Sequence, residues 1–331
     1  MIRIGLYGYF HRGAYGDEII RHCTRRMLST AFAQQAPDVE YEFVDDLFMK
    51  RAHQLNEQKL DLLVLCGGSL LFSDPLIELV KANVPLCIFG TGYRVETLNQ
   101  QDRIWMKQLI DIAEVVSVRG YLTSNWLREH GADIRILNTI ELGDPALAYE
   151  CTRNTVVLGR IGGNIRTDTQ QWYLKPTAEA FMRSAYKWLS PRYELKLLPF
   201  RYEPSVDNDS TAITNAGYPV PESPLSLRET LNEVSKCEYW VGQRLHPFII
   251  ALCCGIKALG VGYQFTKLRD VCSVIDYPYW VLTTEPIQKF SEVFNKLVAD
   301  DHIVAATQQR IARVCEGLQQ VADRIVAVAL A

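Results

Sequence analysis

Apolar positions in the first half of the chain come in blocks, not residue by residue. Runs rich in apolar and β-favouring residues stand at 2–8 (IRIGLYG), 41–46 (YEFVDD), 60–66 (LDLLVLC), 84–90 (VPLCIFG) and 114–120 (EVVSVRG). Mostly unbroken apolar runs of strand length mark parallel strands covered on both faces. Helix-compatible stretches fill 17–33, 47–58, 74–82, 96–112 and 120–130. Strand and helix in repeated alternation predict a doubly wound α/β sheet. The pattern pauses at 144–154 (DPALAYECTRN) and then resumes. Strands are predicted at 155–163, 193–200, 238–243 and 256–263, with helices near 170–189 and 225–236, after Arg244, and from near Thr266. The α/β prediction is therefore of two Rossmann-like halves, 1–150 and 151–331, facing each other across a cleft. In the tail, Val304, Ile311, Val314, Leu318, Val321, Ile325 and Val328 recur at roughly helical spacing. They predict one long helix over 301–330, packed on a domain face.

Composition narrows the class. A chain of 331 residues, 48% hydrophobic and 22% charged, can bury two cores without metals or cross-links. A net charge of −3 argues against a large nucleic-acid interface. Nine cysteines contain no CxxC pair, and Cys253-Cys254 lie in an apolar run. The expectation is reduced, buried thiols, not a disulfide framework or a zinc site. The N-terminal MIRIGLYGYF lacks the long apolar core of a signal peptide. The longest apolar stretch, 247–263, is broken by Lys257 and two glycines and is too short to span a bilayer. These features lead to an expected cytoplasmic location.

Ligands of open α/β sheets bind beyond the carboxyl ends of the strands. There the two halves differ. The first offers carboxylates and glycine turns: Asp17 and Glu18 after the first strand, and Gly67, Gly68 and Ser69 after the third. The second offers cations: Arg166, Arg201, Arg244, His246 and Lys267. Arg244, Leu245 and His246 stand between an apolar strand and an apolar helix. A cation is seldom fully buried without a partner, so Arg244 either meets an internal acid or receives an anion from outside. Taken singly, each residue has a plain structural explanation. Asp17 fits an N-cap with Glu18 in the first turn, and His246 fits a core imidazole bonded to a carbonyl. Taken together, the cations predict an anionic donor site in the second half, opposite a polyol acceptor site in the first.

Seven motifs in order carry a resemblance: RGAYGDE (12–18), CGGSLLF (66–72), SVRG with Ser124 (117–124), GDPAL (143–147), GGNIR (162–166), GQRLH (242–246) and GYQFTK (262–267). Together they resemble the polysaccharide pyruvyl transferase family. The resemblance implies a GT-B-like architecture and transfer of the enolpyruvyl group of phosphoenolpyruvate onto two hydroxyls of a saccharide, forming a cyclic ketal. It implies an acceptor destined for cell-surface polymers, often carried on a lipid diphosphate or a nucleotide, and no metal or other cofactor. A membrane-borne acceptor would bring the protein to the cytoplasmic face of the membrane. Donor binding and catalysis fall on Arg166, Arg244, Leu245, His246 and Lys267. His246 would move the proton, Asp17 would act as base toward the sugar hydroxyl, and Glu18 is its rival. The acceptor side would include Asp17, Glu18, Gly67, Gly68 and Ser69. Two positions depart from the family pattern: Ala14 stands where Asn is usual, and Cys66 where Gly is frequent. Two other readings remain, a GT-B glycosyltransferase using a nucleotide sugar and a noncatalytic saccharide- or phosphate-binding relative.

Overall fold

The computed structural model describes the chain outside residues 69, 72, 94–99, 132–141, 167–176, 204–206 and 263–264, and side chains outside 73–76, 102, 177, 203, 207 and 265–266 as well. The first half contains strands β1 (Ile2–Tyr7), β2 (Tyr41–Val44), β3 (Leu62–Cys66), β4 (Leu86–Thr91) and β5 (Val115–Val118). Its helices are α1 (Tyr15–Gln35), α2 (Ala52–Glu57), α3 (Ser73–Lys81), α4 (Gln100–Ile112) and α5 (Tyr121–Glu129). The five strands form one parallel sheet in the order β2-β1-β3-β4-β5. Every residue of β3 and β4 is buried, as their unbroken apolar runs require.

The second half repeats this plan. Its strands are β6 (Val157–Asn164), β7 (Glu194–Leu197), β8 (Tyr202–Glu203), β9 (Asp207–Asn208), β10 (Cys237–Gly242), β11 (Lys257–Gly262) and β12 (Trp280–Leu282). Its helices are α6 (Thr177–Leu189), α7 (Asp209–Asn215), α8 (Leu227–Ser235), α9 (Leu245–Cys253), α10 (Phe265–Val274) and α11 (Ile287–Ala299), followed by α12 (Ile303–Leu330). The parallel sheet runs β12-β11-β10-β6-β7, while β8 and β9 form a separate antiparallel hairpin. Counted within its own half, each sheet has the strand order 2-1-3-4-5. In each, the chain leaves two central neighbours in opposite directions, β1 and β3 in one, β6 and β10 in the other. The crevice at such a switch point is where an open α/β sheet binds ligands.

The halves are tied at several places. Tyr15 donates its amide to the Phe200 carbonyl at 3.0 Å, and Tyr202 donates to the Gly13 carbonyl at 3.1 Å. Ala14 and Arg201 thereby form an antiparallel bridge. Asp270 of α10 accepts from the Leu122 amide at 2.9 Å and the Thr123 hydroxyl at 2.5 Å. It caps α5 from the other half, since the N-cap Gly120 has no side chain to do so. Helix α12 follows the second half in sequence but packs on α1 of the first. Gln319 Nε2 donates to the Met27 carbonyl at 3.2 Å, and Gln35 Nε2 to that of Asp323 at 2.9 Å. Leu318, Val321 and Ile325 of α12 are fully buried. No helix among the described residues is long and apolar enough to cross a membrane.

The expectation of wholly reduced cysteines is corrected. Cys151 and Cys254 form a disulfide across 103 positions, their Cα atoms 5.1 Å apart. The chain leaving the first half runs beside the end of α9, and only the fold creates that adjacency. The other seven cysteines are free, most of them buried. Thiol titration of the denatured, unreduced protein should find seven of nine cysteines reactive. Closing a loop this long stabilises by about 4.7 kcal/mol on chain-entropy grounds. Cys151→Ser should therefore lower the melting temperature by several degrees, read by calorimetry.

Candidate functional site

The two switch points meet in a cleft of about 310 Å³, within the usual size range of small-molecule sites. Asp17, Gly68 and Ala14 line it from the first half; Arg166, Arg244, Leu245, His246 and Lys267 line it from the second. Of the charged side chains lining it among the described residues, five are Arg or Lys and one, Asp17, is acidic. Two helix N-termini also open there. Neither α1, with N-cap Ala14, nor α9, with N-cap Arg244, is capped by a side chain. Their first amides and positive dipole ends add to the pull on an anion.

Arg244 answers to both conditions posed by its place in the sequence. It lines the cleft, and it also meets an internal acid. Its Nε lies 3.1 and 3.2 Å from the two carboxylate oxygens of Asp209, and Nη2 lies 2.5 Å from Oδ1. Asp209 is fully buried in the first turn of α7, where Oδ2 also accepts from the Phe200 amide at 2.9 Å. The guanidinium is thus held by a fork of bonds at the cleft wall. Arg166 is 8% exposed at the end of β6, its amide bonded to Gln243 Oε1 at 2.9 Å. Gln243 in turn donates to the Ala178 carbonyl at 3.2 Å, locking the turn that presents Arg166. Arg201 is fixed by the bridge to Ala14, and its guanidinium lies over the Tyr9 ring, 5.4 Å from the centroid.

His246 occupies the first turn of α9, packed directly on α1. A Cβ at Gly16 would fall 1.9 Å from Nδ1, so the imidazole can sit there only because residue 16 lacks a side chain. Its Nε2 points the other way and lies 3.7 Å from Asp144 Oδ2. Asp17, half-buried, puts Oδ1 against the glycine turn after β3, where a Cβ at Gly68 would be 3.2 Å from it. Gly67 and Gly68 adopt φ of +101° and +40°, a backbone suited to glycine. Burial pushes the Asp17 carboxyl above its ordinary range, against the pull of His246, Arg201, Lys267 and Arg119. A carboxyl so placed can take a proton from a hydroxyl more readily than an exposed one.

Glu18 is placed differently from the acceptor role expected of it. Its carboxylate holds Arg21 Nε at 2.9 Å and the His11 amide at 2.5 Å, and it does not line the cleft. Gly67 is buried, and of the two glycines only Gly68 lines the cleft among the described residues. Ser69 lies outside the described residues. Three groups escaped assignment from sequence: Asp209, Asp144 and Arg119. The last two belong to GDPAL and SVRG, so their motifs were visible while their partners were not. Asp209 lies between the predicted strand 193–200 and the predicted helix near 225–236, where the sequence carries no periodic pattern.

A family model described as polysaccharide pyruvyl transferase matches residues 14–264. The chain belongs to that family. No curated protein is detectably similar to it. Among solved structures, S. aureus MnaA in complex with UDP superposes with a TM-score of 0.60 at 12% identity, covering 93% of this chain and 91% of the other. The Methanocaldococcus jannaschii UDP-GlcNAc 2-epimerase in complex with UDP-GlcNAc and UDP gives 0.58 at 9% identity, covering 95% and 99%. That of Neisseria meningitidis bound to UDP-GlcNAc gives 0.52 at 11%, covering both chains completely. At these identities the likeness is one of fold, the GT-B arrangement of two Rossmann-like halves.

Arg244→Ala would remove the forked counter-charge of the buried Asp209 carboxylate, at a cost of about 3–5 kcal/mol. Adding Asp209→Asn should recover most of that loss in chemical denaturation. Asp17 and Asp144 should act oppositely with pH. Burial raises the folded-state pKa of Asp17, so its contribution to stability falls as pH rises above the unfolded carboxyl value of about 3.9. Asp144 is held down at about 2, so its contribution is present above that unfolded value and lost as pH falls toward 2. Asp17→Asn should therefore raise the melting temperature at pH 7, and the gain should shrink by pH 3.

Proposed function

We propose that the chain transfers the enolpyruvyl group of phosphoenolpyruvate onto two hydroxyls of a saccharide, closing a cyclic ketal and releasing phosphate. The observation that carries this reading is the convergence of Arg166, Arg244, Lys267 and His246 on one cleft, opposite Asp17 and the Gly68 turn. Phosphoenolpyruvate brings a carboxylate and a phosphate, about three negative charges at neutral pH. Arg166, Arg244, Lys267 and the open end of α9 offset them. The first half, with one carboxylate and a glycine turn, presents a surface suited to hydroxyl groups.

In this mechanism His246, protonated, delivers its proton to the methylene carbon of the enol. The double-bond electrons move to that carbon, which becomes a methyl group, and the neighbouring carbon becomes oxocarbenium-like. A sugar hydroxyl attacks there and loses its proton to Asp17. The C–O bond to phosphate then breaks, phosphate leaves with the electron pair, and the second hydroxyl closes the ring. Its proton leaves with phosphate, and the proton held by Asp17 returns through solvent to His246, so the sum is donor plus diol giving ketal plus phosphate. Charge neutralisation and proton transfer are the only catalytic devices this proposal uses, and it calls on no metal or other cofactor. We place the reaction on an acceptor bound for a cell-surface polymer.

The test is a thermal-shift titration with phosphoenolpyruvate, followed by assay of saccharide-dependent phosphate release. A ligand that binds only the folded state raises the melting temperature with concentration. Wild type should respond, and Arg166→Ala and Lys267→Ala should respond less. His246→Ala should keep the shift while its turnover falls about 100- to 10,000-fold, the range for losing a general acid. A response to nucleoside diphosphates and none to phosphoenolpyruvate would sink this reading in favour of glycosyl transfer.

A further inference from the structure

Two motifs, SVRG and GDPAL, have no part in the donor and acceptor roles above. The fold joins them behind His246. Arg119 follows β5 and is 1% exposed; Asp144 caps the single turn Pro145–Ala148 and is fully buried. Arg119 Nε donates to Asp144 Oδ2 at 2.9 Å, and the Ala146 amide donates to Oδ1 at 3.0 Å. A second guanidinium nitrogen, Nη2, donates to the Gly68 carbonyl, so Arg119 is anchored at both ends. Burial alone would raise the Asp144 carboxyl, yet Arg119, His246 and the Ala146 amide hold it at about 2. It is a fixed negative charge at any physiological pH.

His246 Nε2 faces that charge. It is shielded from solvent, has no hydrogen-bond partner among the described residues, and lies 3.7 Å from Oδ2. Catalytic hydrogen bonds are often this long before substrate binds and tighten afterwards. Because Nε2 is enclosed, Nδ1, which lies against Gly16 at the wall of the cleft, is the nitrogen left on the substrate side.

We propose that Asp144, clamped by Arg119, is a positioning residue that takes the Nε2–H of His246 and thereby fixes Nδ1 as the atom that gives and takes the proton. The proton-transfer part rests on the pyruvyl-transfer reading; the tautomer does not. A carboxylate with every oxygen engaged by a donor cannot be replaced by an amide here. Asparagine at 144 would aim its NH₂ either at Arg119 and His246 or at the Ala146 amide, and a donor would meet a donor.

The test uses the full chain with ¹⁵N-labelled imidazoles, the His246 signals being assigned by their loss in His246→Gln. Neutral His246 in wild type should be the Nε2–H tautomer, and Asp144→Asn should abolish that preference. The same variant should lose turnover about 100- to 10,000-fold, with KM for phosphoenolpyruvate and its thermal shift within twofold of wild type. A disturbance of folding alone would move those binding readouts as well. An Nδ1–H tautomer in wild type, or near-normal turnover in Asp144→Asn, overturns the proposal. If Asp144→Asn does not fold, the wild-type spectrum decides by itself. An Nε2–H spectrum in a protein that transfers pyruvyl to no saccharide supports the positioning role and sinks the reaction.

Discussion

The amide of Tyr15 donates to the carbonyl of Phe200, and the cleft depends on that seam. A site shared by two sheets exists only if the sheets are held at a fixed separation. Here the backbone does the holding, through a short antiparallel bridge between the start of α1 and the loop before β8. The bridge sets α1 so that Gly16 meets His246 and Asp17 reaches the glycine turn after β3. It also fixes Arg201 at the rim. Because the contact is made by main-chain groups, the seam does not depend on the side chain at position 14.

Charge is arranged in two depths around this gap. At the surface of the cleft stand Arg166, Arg201 and Lys267 opposite Asp17. Behind it, two buried acids each hold an arginine in place: Asp209 holds Arg244, and Asp144 holds Arg119. Buried ion pairs of this kind contribute little net stability, because desolvation offsets their attraction. Their value is geometric, since a forked carboxylate–guanidinium contact fixes a long side chain that would otherwise sample many rotamers. The cleft therefore has rigid walls, a condition for orienting bound reactants against one another.

What could be read from the sequence was whatever is local or periodic. The buried parallel strands announced themselves as apolar runs, and α12 by its helical spacing. The cations at strand ends followed from topology alone. Hairpin β8–β9 did not announce itself, because two-residue strands have no period, and α7, β12 and α11 were likewise passed over. The partners of the site residues were hidden for a different reason. Asp209 lies 35 positions from Arg244, and Arg119 lies 25 from Asp144. Sequence shows which residues have chemistry to offer; only the fold shows which acid each arginine meets. Glu18 illustrates the converse, a carboxylate beside Asp17 in sequence that a single helical step turns toward Arg21.

The return of α12 to α1 has a consequence for how the chain is made. Gln319 bonds to Met27 across 292 positions, and Asp323 to Gln35 across 288. At about 5–20 residues per second, synthesis leaves the outer face of α1 uncovered for roughly 15–60 s before its cover emerges. During that interval the first sheet can form, but one of its helices presents an apolar stripe to solvent. Until the last helix arrives, that stripe is open to whatever apolar surface it meets.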